Sequence, residues 1–203
     1  LGRIGPEPEV IATLIESLDD VAEPPRRTAR QVLGGFGTHA LRELIRALSA
    51  SSTAKRTGAA LALSRLGPKA SPAVNALTQL FAKSQPPPVR DAAAYALGEI
   101  GAAARPAVPA LIAALMQNDR VARAAAIPAL GRIGHAEAVE PLAELLECDE
   151  TPVRVLSAEA LGRFGPAAAP AVPALTDALT DASPAVRRWA AEALGRIGPK
   201  ATS

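Results

Sequence analysis

Apolar residues recur along this chain at spacings of three and four, in short stretches separated by breaks rich in Pro, Asp and Gly. That spacing describes one face of a helix. Between residues 166 and 198, Val172, Leu175 and Leu179 predict a short first helix. Pro170 and Pro173 fit only in its first turn, where a missing N–H costs least. Asp181-Ala182-Ser183-Pro184 predicts a turn, with Ser183 as N-cap and Pro184 opening a second helix. Val186, Ala190, Ala193, Leu194 and Ile197 form the buried stripe of that helix. Gly198 ends it, because glycine takes a left-handed C′ conformation cheaply, and Pro199 blocks continuation.

The end of this second helix, Leu194-Gly195-Arg196-Ile197-Gly198, is one of seven related copies. Their leucines are Leu1, Leu33, Leu63, Leu97, Leu130, Leu161 and Leu194, at intervals of 32, 30, 34, 33, 31 and 33 residues. A period near 32 over the whole chain predicts a repeat array. The expected fold is all-α, an α-solenoid of stacked antiparallel helix pairs, with about six repeats at 6–37, 38–67, 68–101, 102–134, 135–165 and 166–198. Predicted first helices lie near Glu9–Leu18, Ala40–Ala50, Pro72–Ala82, Pro106–Gln117, Ala136–Cys148 and Pro170–Leu179. Second helices lie near Pro24–Phe36, Thr53–Leu66, Pro87–Ile100, Arg120–Ile133, Pro152–Phe164 and Pro184–Ile197. Helices this short are marginal alone, so stability must come from stacking. Within the motif, the leucine and the fourth residue read as core and the last glycine as a stop. The second position is glycine in six of seven copies, Ser64 being the exception. A helix-interior glycine costs about 0.5–1 kcal/mol, so its recurrence predicts a neighbouring helix too close for a side chain. Pro128 falls inside a predicted helix, where proline costs about 3 kcal/mol. A kink or a late helix start is expected there.

Composition refines this picture little. Hydrophobic residues make up 49% of the chain but aromatics only 2%, which suits close-packed helices. The mix rich in Ala, Gly, Pro and Arg is also what a GC-rich genome yields. With 22 basic and 20 acidic residues the net charge is +2, no signature of a nucleic-acid partner. The lone Cys148 excludes an internal disulfide. Apolar runs such as 106–116 are too short to span a bilayer. No signal peptide is visible, and location rests at a cytoplasmic default. The chain begins within a motif copy and stops just after another, so it reads as a piece of a longer array. The expected state is a monomer, or association through truncated ends, Ile4 among them.

Seven residues before each motif leucine stands an arginine: Arg26, Arg56, Arg90, Arg123, Arg154 and Arg187. Acidic residues recur in the turns just before, at Asp20, Asp119, Asp149 and Asp181. This predicts a structural ladder in which each planar guanidinium bonds turn carbonyls or a carboxylate of an adjacent repeat. The rival reading, a row of phosphate contacts, needs no such strict register.

The segments Pro-Ala-Val-Pro-Ala-Leu in a first helix and Val-Arg-Arg-Trp-Ala-Ala-Glu-Ala-Leu-Gly-Arg-Ile-Gly in a second, with a recurrent turn Asp and helix Arg, resemble HEAT repeats. The short period is similar to the HEAT-like subgroup of the phycobilin lyases. The Trp-Leu-Gly-Tyr and Thr-Pro-Leu-His signatures of other repeats with this period are absent. The resemblance implies an armadillo-type right-handed superhelix with second helices lining its concave side. Arg27, Gln31, Gly35; Thr57, Leu61, Arg65; Asp91, Tyr95, Glu99; Ala124, Pro128, Arg132; Val155, Glu159, Arg163; and Arg188, Glu192, Arg196 would then form the concave stripe. Trp189 would sit beside it.

Candidate chemistry is sparse. His39 and His135 lie in different repeats without Cys or paired carboxylates at ligand spacing, so no metal site is expected. The His-Glu pairs that hold iron in deoxyhypusine hydroxylase are replaced by His39-Ala40 and His135-Ala136. Cys148, beside Glu147 and Asp149, should not be activated, since carboxylates disfavour the thiolate. No cofactor and no catalytic residue is expected. The leading expectation is a non-enzymatic module that binds a protein or peptide on the concave face. The candidate contacts are Arg65, Tyr95, Glu99, Arg132, Glu159, Arg163, Arg188, Trp189, Glu192 and Arg196, with Tyr95 and Trp189 as aromatic anchors. The alternatives are tetrapyrrole handling of the phycobilin-lyase kind and DNA binding of the kind HEAT-like alkylpurine glycosylases show. The near-neutral charge weighs against the last.

Overall fold

A computed structural model describes residues 6–82, 84–117 and 119–198, and every regular element among them is helical. The chain forms two compact units, Leu1–Ala107 and Val108–Ser203. The first contains α1 (Pro8–Glu16), α2 (Glu23–Gly35), α3 (Leu41–Ala47), α4 (Thr53–Ser64), α5 (Val74–Leu80) and α6 (Pro87–Ile100). Each odd-numbered helix packs on the even-numbered helix after it, and α2, α4 and α6 pack successively as a layer of second helices. The second unit repeats the plan with α7 (Val108–Leu115), α8 (Arg120–Ile133), α9 (Val139–Glu144), α10 (Thr151–Phe164), α11 (Val172–Asp177) and α12 (Pro184–Ile197). Its second-helix layer is α8, α10 and α12. This is the stacked helix-pair architecture of an α-solenoid.

The motif leucines hold the layers together. Leu33, Leu63, Leu97, Leu130 and Leu161 are fully buried, and alanines such as Ala59, Ala93, Ala126 and Ala158 are buried beside them. The alanine content therefore reflects packing at close range and not base composition alone. On α12 the buried residues are Val186, Ala190, Ala193 and Ile197. Leu194 is only half-buried, because among the described residues no further helix packs on α12. The copy at Leu1 and the residue Ile4 lie outside the described residues.

The stop glycines are visible as backbone. Gly134 takes the left-handed conformation, φ 69° and ψ 27°, and its N–H bonds the Leu130 carbonyl. The second-position glycines are sites of close approach. A Cβ on Gly131 would lie 3.0 Å from both Cα and Cβ of Ala160 on α10, and one on Gly162 would lie 3.2 Å from the Cα of Ala193 on α12. Ser64 fills this position in α4 and returns its hydroxyl to the Leu61 carbonyl at 2.8 Å.

Three local expectations need correction. Pro173 lies in the first turn of α11 as expected, but Pro72, Pro106 and Pro170 lie in 3₁₀ segments that precede the first helices: Gly67–Ala73, Gly101–Ala107 and Gly165–Ala171. The missing amides favour a tight lead-in, so the α-helices start later and are shorter. Leu179 is exposed and Ala178 buried, because Ala178–Thr180 tightens to 3₁₀ geometry and the buried position falls three residues after Leu175. Finally, α8 runs unbroken from Arg120 to Ile133 with Pro128 inside it, so the helix does not start late. Ala124, whose carbonyl loses its partner, is exposed, so water can take up the missing bond.

Candidate functional site

In the first unit, three successive second helices bring one face of the predicted stripe together. A hollow of about 360 Å³ is lined by Arg27, Arg30 and Gln31 of α2, by Leu61, Ser64 and Arg65 at α4, and by Tyr95 of α6. A second hollow of about 520 Å³ adjoins it, sharing Ser64, Arg65 and Tyr95 and adding Gly35 and Glu99. Of the residues singled out from sequence, Arg65, Tyr95 and Glu99 therefore meet at one place. Tyr95 is 44% exposed, unusual for the only tyrosine of a chain so poor in aromatics.

The local packing explains how Arg65 comes to lie here. It caps the C-terminus of α4, and Gly34 on α2 leaves room for its stem. A Cβ on Gly34 would lie 2.7 Å from Arg65 Cδ and 2.8 Å from its Cβ. The second-position glycine of one repeat thus seats the third-position arginine of the next. Sequence reasoning missed Arg30, although it stands three residues after Arg27 and so shares its face. Arg30 pairs with Glu23, which also binds Arg26 at 2.9 Å. The hydrogen bonds from Arg30 and then Arg26 hold the Glu23 carboxyl below the usual glutamate range.

In the second unit the stripe residues behave differently. Arg163 bonds Glu159 at 3.0 Å and Arg196 bonds Glu192 at 2.6 Å, each pair one turn apart on its own helix. Arg132 reaches back to the Pro128 carbonyl at 3.5 Å. The Arg188 guanidinium stands 5.1 Å from the centre of the Trp189 ring, a cation–π contact within α12. Trp189 is half-buried.

The arginines at the start of each second helix have these partners. Arg56 donates to the Ala50 and Ser51 carbonyls, both at 2.7 Å. Arg187 donates to the Asp181 and Ala182 carbonyls at 2.7 and 3.1 Å. Two arginines also bind the following repeat. Arg123 donates to Glu150 at 3.1 Å and to the Leu115 and Gln117 carbonyls. Arg154 grips Asp181 with two bonds of 2.7 and 3.1 Å and adds the Cys148 carbonyl at 2.9 Å. The Arg154 bond, followed by the Ser183 amide, holds the Asp181 carboxyl below the aspartate range. Ser183 stands at the N-cap of α12, but its hydroxyl makes no capping bond. Glu150, and not Asp149, meets Arg123, and Arg26 turns to Glu23 of its own helix. Arg90 is buried.

The histidines and the cysteine lie apart from the stripe residues. Among the described residues no group of three or more His, Cys, Asp and Glu side chains could hold a metal ion. His39 Nδ1 lies 3.1 Å from the Phe36 carbonyl, and His135 Nδ1 lies 3.9 Å from Glu137. Cys148 donates a weak bond to the Glu150 carbonyl at 3.6 Å. No described helix is long and apolar enough to cross a membrane.

Comparison with known proteins agrees with this architecture. No curated protein matches the chain at a significant level. Among solved structures, a designed armadillo repeat protein in complex with the peptide (KR)4 is 17% identical with a TM-score of 0.64, covering 92% of this chain and 99% of that one. A Kap121p mutant gives a TM-score of 0.72 at 15% identity, over 95% of this chain and 25% of that one. A chain from the CpcE–CpcF complex of phycocyanin lyase from Nostoc sp. PCC7120 is 26% identical, with a TM-score of 0.61 over 98% of this chain and 80% of that one. The family model for HEAT repeats matches residues 11–98, 74–154 and 139–203. Helix pairs, buried motif leucines and this match over nearly the whole length agree: the chain belongs to the HEAT-repeat family.

Proposed function

We propose that this HEAT-repeat chain is a non-enzymatic interaction module that binds a protein or peptide along its second helices. The observation that carries this reading is the hollow of about 360 Å³ where three successive second helices present Arg27, Gln31, Leu61, Arg65 and Tyr95 together. A concave surface with an exposed tyrosine and arginines is what interfaces use as anchors. Repeats build such a surface from a few packing rules, because each helix pair needs only its neighbours. A designed armadillo repeat protein of similar fold is in complex with the peptide (KR)4. In the second unit, Trp189 with Arg188 and the charged pairs of α10 and α12 would offer contacts of their own.

Selection of random dodecapeptides on the immobilised full chain tests this. Peptides should be enriched on the wild type and lose at least about tenfold in affinity on Tyr95→Ala/Arg65→Ala. A selection that enriches nothing, or peptides indifferent to both substitutions, would overturn the assignment of this face.

A second reading has its own observation, the 26% identity to the phycocyanin lyase chain over 98% of this sequence. On that reading the same face holds a bilin or its acceptor protein. Titration with a free bilin should then shift its absorption band, and an unshifted spectrum removes the reading.

A further inference from the structure

The hollow between α2, α4 and α6 is lined by three arginines and no carboxylate. We infer that it receives an acidic peptide segment of the partner, whose carboxylates pair with Arg27 and Arg65 beside Tyr95. The inference rests on the interaction-module reading and adds the chemistry of the partner.

Converging like charges repel, and a fold tolerates them where something is returned. Several other arginines are tied down. Arg123, Arg154 and Arg187 hold turn carbonyls or carboxylates, and Arg163 and Arg196 are neutralised by Glu159 and Glu192. Arg30 is held by Glu23. Arg27 and Arg65 differ. Among the described residues the guanidinium of neither makes a hydrogen bond or an ion pair. Both are exposed at the hollow. Arg65 is also held in place without a polar partner, because its stem crosses α2 over Gly34. A larger residue at position 34 would collide with that stem. Planar guanidinium groups positioned in this way suit bidentate carboxylates.

Two observations favour a peptide over nucleic acid. Glu99 lines the adjoining hollow, where a phosphate backbone running onward would meet a like charge. The chain's net charge of +2 supplies no wider basic track. A peptide can place carboxylates on Arg27 and Arg65 and a neutral residue beside Glu99. The volume, about 360 Å³, suits a few side chains.

Fluorescence anisotropy tests this with a labelled octapeptide of alternating glutamate and aspartate, an octapeptide of alternating lysine and arginine, and a single-stranded oligonucleotide. The full chain should bind the acidic peptide, and binding should weaken between about 50 and 300 mM salt. Arg27→Glu/Arg65→Glu should lower affinity by roughly tenfold or more, and Arg27→Gln/Arg65→Gln by less. Both variants should keep the wild-type circular dichroism and melting temperature. Arg163→Glu/Arg196→Glu, at the self-paired positions, should bind as the wild type does. Equal losses in both pairs would mean diffuse charge attraction and overturn the inference. So would tighter binding of the basic peptide or of the oligonucleotide. If dodecapeptide selection instead returns Tyr95-dependent sequences without acidic residues, this inference falls while the interaction-module reading stands; if selection returns nothing, both fall.

Discussion

A single methyl group distinguishes the two environments that the second-position glycine of the motif occupies. At Gly131 it would press on the backbone of Ala160 at 3.0 Å, and backbone inside a helix pair cannot swing aside. At Gly195 nothing lies within 4 Å. Gly131→Ala should therefore destabilise the fold by about 1–3 kcal/mol through overpacking. Gly195→Ala should raise stability by about 0.5–1 kcal/mol, the ordinary gain of alanine over glycine in a helix. Urea denaturation of the two variants checks the pair, and the same sign for both would refute the close-approach explanation. The recurrence of glycine made this contact legible in the sequence. Its partner was not legible, because Ala160 is one of many alanines with nothing to mark it. Pro128 shows the opposite limit. Sequence alone flagged the local conflict correctly but could not see that the carbonyl left without a partner belongs to an exposed residue, Ala124.

Helix pairs are joined to one another by apolar layers and by arginines, Arg123 and Arg154 among them. Arg154 reaches from its own turn to Asp181 of the next repeat, and both side chains are largely shielded from solvent. Arg56 makes equivalent turn contacts but meets no carboxylate, and its buried Nε has no partner. Arg154→Ala should cost roughly 3 kcal/mol, because it also strands Asp181. Arg56→Ala should cost about half as much. Comparison of the two midpoints in urea tests whether the carboxylate is what separates them. Acid offers a second check. The folded state holds the Asp181 carboxyl below its ordinary value of 3.8, so the pair contributes its full stabilisation above that pH. The contribution disappears as pH falls through the lowered folded value. Melting temperature should drop more steeply over this range in the wild type than in Arg154→Ala/Asp181→Asn, whose acid limb should be flatter. The recurring arginine was plain from register, since all six stand seven residues before a motif leucine. Its partners were less plain. Glu150 takes Arg123, and it is Glu150, not Asp149, that stands where Asp119 does, four residues before its repeat's arginine and at the N-cap of the second helix.

Across the whole molecule, a net charge of +2 hides an uneven use of arginine. In α10 and α12 the motif arginines Arg163 and Arg196 are each paired with a glutamate four residues before them, a spacing any helix satisfies internally. In α2 and α4 the residues four before Arg27 and Arg65 are Glu23 and Leu61, and Glu23 is taken by Arg26 and Arg30. Arg27 and Arg65 are thus left for a partner in the first unit, although motif arginines occur along the entire chain. Periodicity could foretell the stripe, because repeats fix which positions share a face. It could not foretell which arginines are already neutralised, since that depends on the residue one turn away and on how a neighbouring glycine seats the side chain. The consequence is measurable without a structure of the complex. Hydrogen exchange with and without the acidic octapeptide should show added protection in α2, α4 and the part of α6 around Tyr95. The amides of α10 and α12 should exchange unchanged. Replacing Glu159 and Glu192 by glutamine leaves Arg163 and Arg196 without their carboxylates, and should extend protection into those two helices. If Glu159→Gln/Glu192→Gln leaves the footprint as it was, self-pairing is not what confines anion recognition to the first unit, and the seating of Arg65 over Gly34 must carry that selectivity by itself.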